Sequence, residues 1–113
     1  MTITFEDFEK VDIRVGKVIE VEDFPEARYP SFKLKIDFGE KLGIKSSGVG
    51  AVGAHTKEEL LHMLVVCVVN FPPKNIGKFV SEVLTLGFQN TDGGGWVLIP
   101  PAKTSVKLGS RLK

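Results

Sequence analysis

From Ser31 to Phe38 the chain alternates without a break. Phe32, Leu34, Ile36 and Phe38 are large and apolar, and Ser31, Lys33, Lys35 and Asp37 between them are polar. Successive side chains of an extended strand point to opposite faces, so a period of two predicts a β-strand with one dry face and one wet face. Such a strand must lie over a core, and the rest of the chain supplies further short strands to build one. Asp12–Val21 alternates as well: Ile13, Val15, Ile19 and Val21 are expected on the apolar side, with Arg14, Gly16, Val18 and Glu20 opposite. Lys17 interrupts this pattern, which fits a bulge or a barrel rim. Leu64–Val69 is apolar on both faces and rich in β-branched residues, as a central strand requires. Val83–Phe88 and Trp96–Ile99 flank Thr91-Asp92-Gly93-Gly94-Gly95 and read as a hairpin.

The breaks between these segments are equally legible. Phe24-Pro25-Glu26 ends the first strand. Asn70-Phe71-Pro72-Pro73-Lys74 stops the central one, because proline has no N–H for a ladder, and leaves a stiff extended loop. Ile44–Val52 starts as a strand and turns irregular where Gly48, Gly50 and Gly53 enter. Two short helices are expected. Thr4 caps the first, with Glu6 and Asp7 at the positive end of its dipole and Phe5 and Phe8 on one face. Thr56 and Glu59 form a capping-box spacing before Leu60, Leu61 and Met63. The last apolar residues, Val106, Leu108 and Leu112, suit a final strand or a contact with a second subunit. A short helix ahead of the fourth strand is a feature of five-stranded OB barrels. The expectation is therefore an all-β, OB-fold Greek-key barrel, with a short N-terminal helix and a short helix before strand 4, forming one domain over residues 1–113.

Several functions lose support at this level. The longest apolar run, Met63–Val69, is far shorter than the roughly 20 residues of a membrane span. The N-terminus shows no apolar stretch after a basic start, so no membrane insertion and a cytoplasmic setting are expected. Cys67 is the only cysteine and lies inside the apolar run, as a buried core thiol does. His55 and His62 lack a metal-binding spacing, and no nucleophile stands with a base, so the chain is read as a non-enzyme without cofactor or metal. Net charge is only +1, but it is unevenly spread. Residues 1–26 hold three basic and eight acidic side chains, and residues 27–113 hold twelve basic and six acidic. A near-neutral chain can still present a basic face to phosphates.

Four stretches read together resemble the tRNA-binding domain family, the OB-fold module attached to some aminoacyl-tRNA synthetases and found in free-standing proteins. They are Asp12–Val18, Phe32–Gly39 continued by Gly43-Ile44-Lys45-Ser46-Ser47, Val68-Val69-Asn70-Phe71-Pro72-Pro73-Lys74-Asn75-Ile76-Gly77, and Ser81–Gly87. The likeness is strongest to the CsaA-type members associated with protein export. It implies affinity for tRNA, a homodimer, and partnership with an aminoacyl-tRNA synthetase or an unfolded precursor protein; it implies no cofactor. Arg14, Lys33 and Lys35 are expected to form a basic strip on adjacent strands. Ser46 and Ser47 can donate to phosphate or sugar, Asn70 and Glu82 can read a base edge, and Lys74 and Ser81 stand in the flanking loop and motif. Each has a plainer alternative: Arg14 paired with a local acid, solvated lysines, a turn-forming Asn70, and Ser81 and Glu82 bonded to backbone at a barrel corner. The chain leaves the CsaA-type pattern after Ser47. Ala-Gln-Ile-Thr is replaced by Gly48-Val49-Gly50-Ala51-Val52-Gly53-Ala54, so contacts there would come from backbone groups. Phe71 and Tyr29 are the candidate aromatic platforms.

Overall fold

The computed structural model describes residues 1–113. Helix α1 (Phe5–Glu9) opens it under a complete capping box. Thr4 Oγ1 accepts from Asp7 N at 3.1 Å and Asp7 Oδ2 accepts from Thr4 N at 3.1 Å. The bond from Thr4 N, and then the Thr4 hydroxyl, hold the Asp7 carboxyl below its ordinary 3.8. Five strands then form one antiparallel sheet: β1 (Ile13–Asp23), β2 (Phe32–Asp37), β3 (Ile44–Val49), β4 (Leu64–Val68) and β7 (Leu84–Thr85), in the order β3-β2-β1-β4-β7. The sheet curls until β3 approaches β7. No strand ladder joins them, but Ser46 O accepts from Glu82 N at 2.8 Å, so the barrel is nearly closed. Helix α2 (Lys57–Leu60), with its own Thr56–Glu59 capping box, precedes β4 and plugs the barrel with fully buried Leu60. This is the expected OB-fold-like barrel.

The core confirms the β2 pattern: Phe32, Leu34, Ile36 and Phe38 are all buried. In β1 the faces are the reverse of the expectation as far as Val18, and Val21 lies inward as expected. Gly16 and Val18 point into the core, and a bulge between Val18 and Glu20 shifts the parity so that Val21 faces inward beyond it. The reason is packing space. A Cβ on Gly16 would lie 2.5 Å from Ile36 Cγ2 and 2.8 Å from a Phe38 ring carbon, so only glycine lets β1 approach β2's large side chains. Val15, on the outer side, is buried instead by the C-terminal tail. Gly109 N donates to Val15 O at 2.8 Å and Leu112 N to Ile13 O at 2.8 Å. The tail thus folds back on its own β1.

Two small hairpins decorate the barrel. β5 (Lys74–Ile76) pairs with β6 (Phe79–Ser81) in the connection between β4 and β7, directly after the stiff loop expected at 70–74. β8 (Gly87–Gln89) pairs with β9 (Trp96–Leu98), as the glycine-rich turn predicts. His55 Nε2 ties the second hairpin down by accepting from Leu98 N at 3.0 Å. Ile44–Val49 is a regular strand throughout; irregularity begins only after Val49.

Candidate nucleic-acid interface

The nine expected site residues fall into three places. Arg14 and Asn70 sit together at the start of β1. Arg14 shares the inward parity of Gly16 and lies beyond the β2 ladder, which begins at Lys17. It grips Asp12 with both arms, Nε to Oδ1 at 2.9 Å and Nη2 to Oδ2 at 3.3 Å, while Nη1 donates to Gly109 O at 2.9 Å. Asn70 Oδ1 accepts from Asp12 N at 3.0 Å, and its amide donates to Lys10 O at 2.7 Å. Both side chains therefore staple the chain entry and the tail. The solvent-facing strip of Arg14 with Lys33 and Lys35 does not form, because about six residues of extended strand, roughly 20 Å, separate Arg14 from the position facing Lys35.

Lys33 and Lys35 do share the outer face of β2, opposite Glu22 and Glu20 of β1. Lys35 Nζ lies 3.8 Å from Glu20, and Lys33 Nζ 3.7 Å from Glu26. Lys33 also rests over two rings, 4.9 Å from the Phe24 centroid and 5.6 Å from that of Phe79. A shared hydrogen bond with Glu20, and then that neighbour's charge, raise the Glu22 carboxyl above its ordinary 4.5. The face is a checkerboard of both signs.

The third place is the seam between β3 and the β6–β7 segment. Glu82 Oε1 accepts from Ser46 N at 3.1 Å and from Ser46 Oγ at 3.0 Å, and Ser81 Oγ accepts from Gly48 N at 3.1 Å. Ser46, Ser81 and Glu82 thereby close the barrel where no ladder does. Ser47 points inward and is wholly buried, with Oγ 2.9 Å from Thr85 Oγ1, so its expected exposure to phosphate is corrected. Thr85 is also 3.5 Å from Cys67 Sγ, whose thiol burial pushes up to about 12. Lys74 faces Ser81 across the small hairpin and is exposed.

What these placements leave open is a cleft of about 690 Å³ between the β1–β2 loop, residues 24–31, and the β5–β6 hairpin. OB barrels bind oligonucleotides between these same two connections. Arg28, Tyr29, Gly50, Lys74 and Trp96 border it. Arg28, Lys74 and nearby Lys78 are exposed and take part in no ion pair, unlike Lys33 and Lys35. The sequence reading singled out Tyr29 and Lys74 but missed Arg28 and Trp96. The available signal was one arginine in a proline-bounded loop and a lone tryptophan directly after a glycine turn. No group of three or more histidine, cysteine or acidic side chains is placed to hold a metal ion, and no helix is long and apolar enough to cross a membrane.

A nearly closed five-stranded antiparallel barrel with two short helices defines the OB-fold-like class. The chain belongs to the tRNA-binding domain family: the family model described as "Putative tRNA binding domain" matches residues 13–111. Among solved structures it is similar to the CsaA chaperone protein of Picrophilus torridus, at 44% identity and TM-score 0.90, over 99% of this chain and 100% of that one. It is equally similar in shape to the chaperone CsaA of Bacillus anthracis, at 40% identity and TM-score 0.90, with both chains covered completely. In sequence it is 36% identical over 113 residues to the methionine–tRNA ligase of Pyrococcus abyssi, covering 100% of this chain and 15% of the ligase. The chain thus spans about one seventh of the length of the ligases it matches.

Proposed function

We propose that this chain binds tRNA without catalysing a reaction on it, through the cleft between the β1–β2 loop and the β5–β6 hairpin. One observation carries the placement: Arg28 and Lys74 stand exposed and free of carboxylate partners on the border of that cleft, and exposed Lys78 follows its lining residue Gly77. Lys33 and Lys35 extend the basic face once phosphate competes with Glu26 and Glu20 for them. Arg14, Asn70, Ser46, Ser47, Ser81 and Glu82 act on binding only through the fold. The partner in this reading is tRNA, alone or together with an aminoacyl-tRNA synthetase, and the compartment is the cytoplasm, where both are found. Exposed Ile3, Phe5 and Leu112 at α1 and the tail are the apolar groups that a homodimer would cover.

The test is an anisotropy titration of labelled bulk tRNA over a range of salt. Each phosphate contact adds about 0.7–0.9 to the log–log salt slope. Arg28→Ala with Lys74→Ala should weaken binding and flatten that slope. Unchanged affinity and slope would refute the placement.

A second reading, binding of unfolded polypeptide, is favoured by a different groove of about 400 Å³ lined by Phe71, Pro72, Ile76, Val83 and Leu84. Phe71 and Leu84 are exposed there, whereas Phe79 packs edge-on against Phe24 at 5.1 Å. Competition between an unfolded precursor and tRNA measures whether the two ligands share a surface. A protein that retains no unfolded precursor at all would remove this reading.

A further inference from the structure

The glycine-rich stretch after Ser47, where the chain departs from the CsaA-type sequence, makes room for two aromatic rings. A Cβ on Gly50 would lie 2.9 Å from two Tyr29 ring carbons and 3.2 Å from Trp96 Cδ1, so only a bare backbone lets both rings close on this point. Backbone bonds hold them there. Trp96 N donates to Gly50 O at 2.9 Å, and Tyr29 Oη accepts from Gly95 N at 3.3 Å. Yet neither ring is used up by the core: Tyr29 is 48% exposed and Trp96 42%. Both line the same cleft as the free cations Arg28 and Lys74.

Two half-exposed rings, Trp96 anchored through its main-chain N–H and Tyr29 through its hydroxyl, form with the unpaired cations beside them a stacking platform next to phosphate ligands. We propose that this cleft is a subsite for a single unpaired nucleotide, its base stacked on Tyr29 and Trp96 and its phosphate held by Arg28 and Lys74. The proposal rests on the tRNA-binding reading and narrows it, because a paired base hides both faces inside the helical stack and only loops and ends offer one. It also gives the glycine stretch a role. A side chain at position 50 would push the two rings off the strand, and the platform would be lost without any change in charge.

Trp96 is the only tryptophan, so its emission reports on the subsite directly. The experiment titrates the full chain with a short single-stranded oligoribonucleotide, with the same strand in a duplex, and with bulk tRNA, reading Trp96 fluorescence and, in parallel, the anisotropy of labelled RNA. Single strand and tRNA should quench Trp96, and the duplex should not. Tyr29→Leu and Gly50→Val should each weaken single-strand binding about tenfold, within the range of one lost stacking contact, while Tyr29→Phe, which keeps the ring and loses only its bond from Gly95 N, should weaken it less. Arg28→Ala, an exposed position whose loss does not threaten the fold, should make the single-strand salt slope shallower by about 0.7. Binding of tRNA with unchanged Trp96 emission, and with Tyr29→Leu and Arg28→Ala at wild-type affinity, overturns the subsite and leaves tRNA binding intact. Equal quenching by the duplex overturns it too. Failure of every RNA to bind overturns both readings, and quenching by an unfolded peptide but not by RNA assigns the cleft to polypeptide.

Discussion

Replacing Arg14 by alanine separates a structural arginine from an RNA-binding one. The guanidinium makes three hydrogen bonds, two to Asp12 and one to Gly109 O, and joins the chain entry to the tail that covers Val15. The pair is partly shielded, with Arg14 at 29% and Asp12 at 24% side-chain exposure. Exposed pairs contribute up to about 1 kcal/mol, and breaking a buried pair costs about 3–5 kcal/mol. Asp12 would keep one compensating partner, Arg111 Nε at 3.6 Å, which limits the charge left unpaired. The expected loss is therefore about 2 kcal/mol, between those limits. For a domain of this size that lowers Tm by roughly 8 °C. Thermal unfolding followed by circular dichroism measures it, and tRNA affinity measured well below the variant's Tm should stay close to wild type. A variant with unchanged Tm and affinity reduced about tenfold, the worth of a charged hydrogen bond to phosphate, would show that Arg14 contacts RNA and that its grip on Asp12 is dispensable.

Glu20→Gln removes the carboxylate beside Lys35 and the neighbour that raises Glu22, so it should tighten tRNA binding and steepen the salt slope; a carboxyl-detected NMR titration should show the Glu22 value falling back toward 4.5. Gly16→Ala forces a methyl against Ile36 and Phe38 and should cost about 1–3 kcal/mol in urea unfolding, the usual penalty of overpacking. Burial raises the Cys67 thiol from 9.0 to about 12, so its proton favours the folded state: that contribution is complete below pH 9.0 and is lost as pH rises toward 12. Unfolding curves across this alkaline window should fall less steeply for Cys67→Ala than for the wild type. Asp7 behaves in the opposite sense. Its carboxyl is lowered by its bonds to Thr4, so its contribution is present above 3.8 and lost as pH falls through the depressed folded value, a trend that Asp7→Asn should abolish.

Local patterns carried much of the fold. The alternation of Phe32–Phe38, the two capping boxes at Thr4 and Thr56, the apolar run of β4 and the glycine turn before Trp96 each express a constraint that acts over a few residues, and each appears where the sequence places it. The four motifs were enough to indicate the family and the OB-fold-like barrel. The inward face of β1 was not legible, because Gly16 and Val18 were placed inside by the size of side chains on a neighbouring strand and by a bulge that reversed the parity.

The residues of the motifs were legible, and so were the plainer roles of Ser81 and Glu82 as backbone acceptors and of Arg14 as an acid's partner, but the distant segments they join were not. Ser46, Ser81 and Glu82 are engaged across a seam between residues 33 and 36 positions apart, and Arg14 is engaged by a tail 95 residues away. Such partners are chosen by the closing of the barrel and leave no trace in local spacing. The same closure brings Arg28 and Tyr29 from one loop, Gly50 from the end of a strand and Trp96 from a hairpin to the border of a single cleft. The sequence alone determined that this chain would curl a few short strands into a small barrel, since period and turn chemistry are local. Only the tertiary structure decided which of its polar groups remain free to meet a ligand, since a side chain is free only when no distant part of the fold has claimed it.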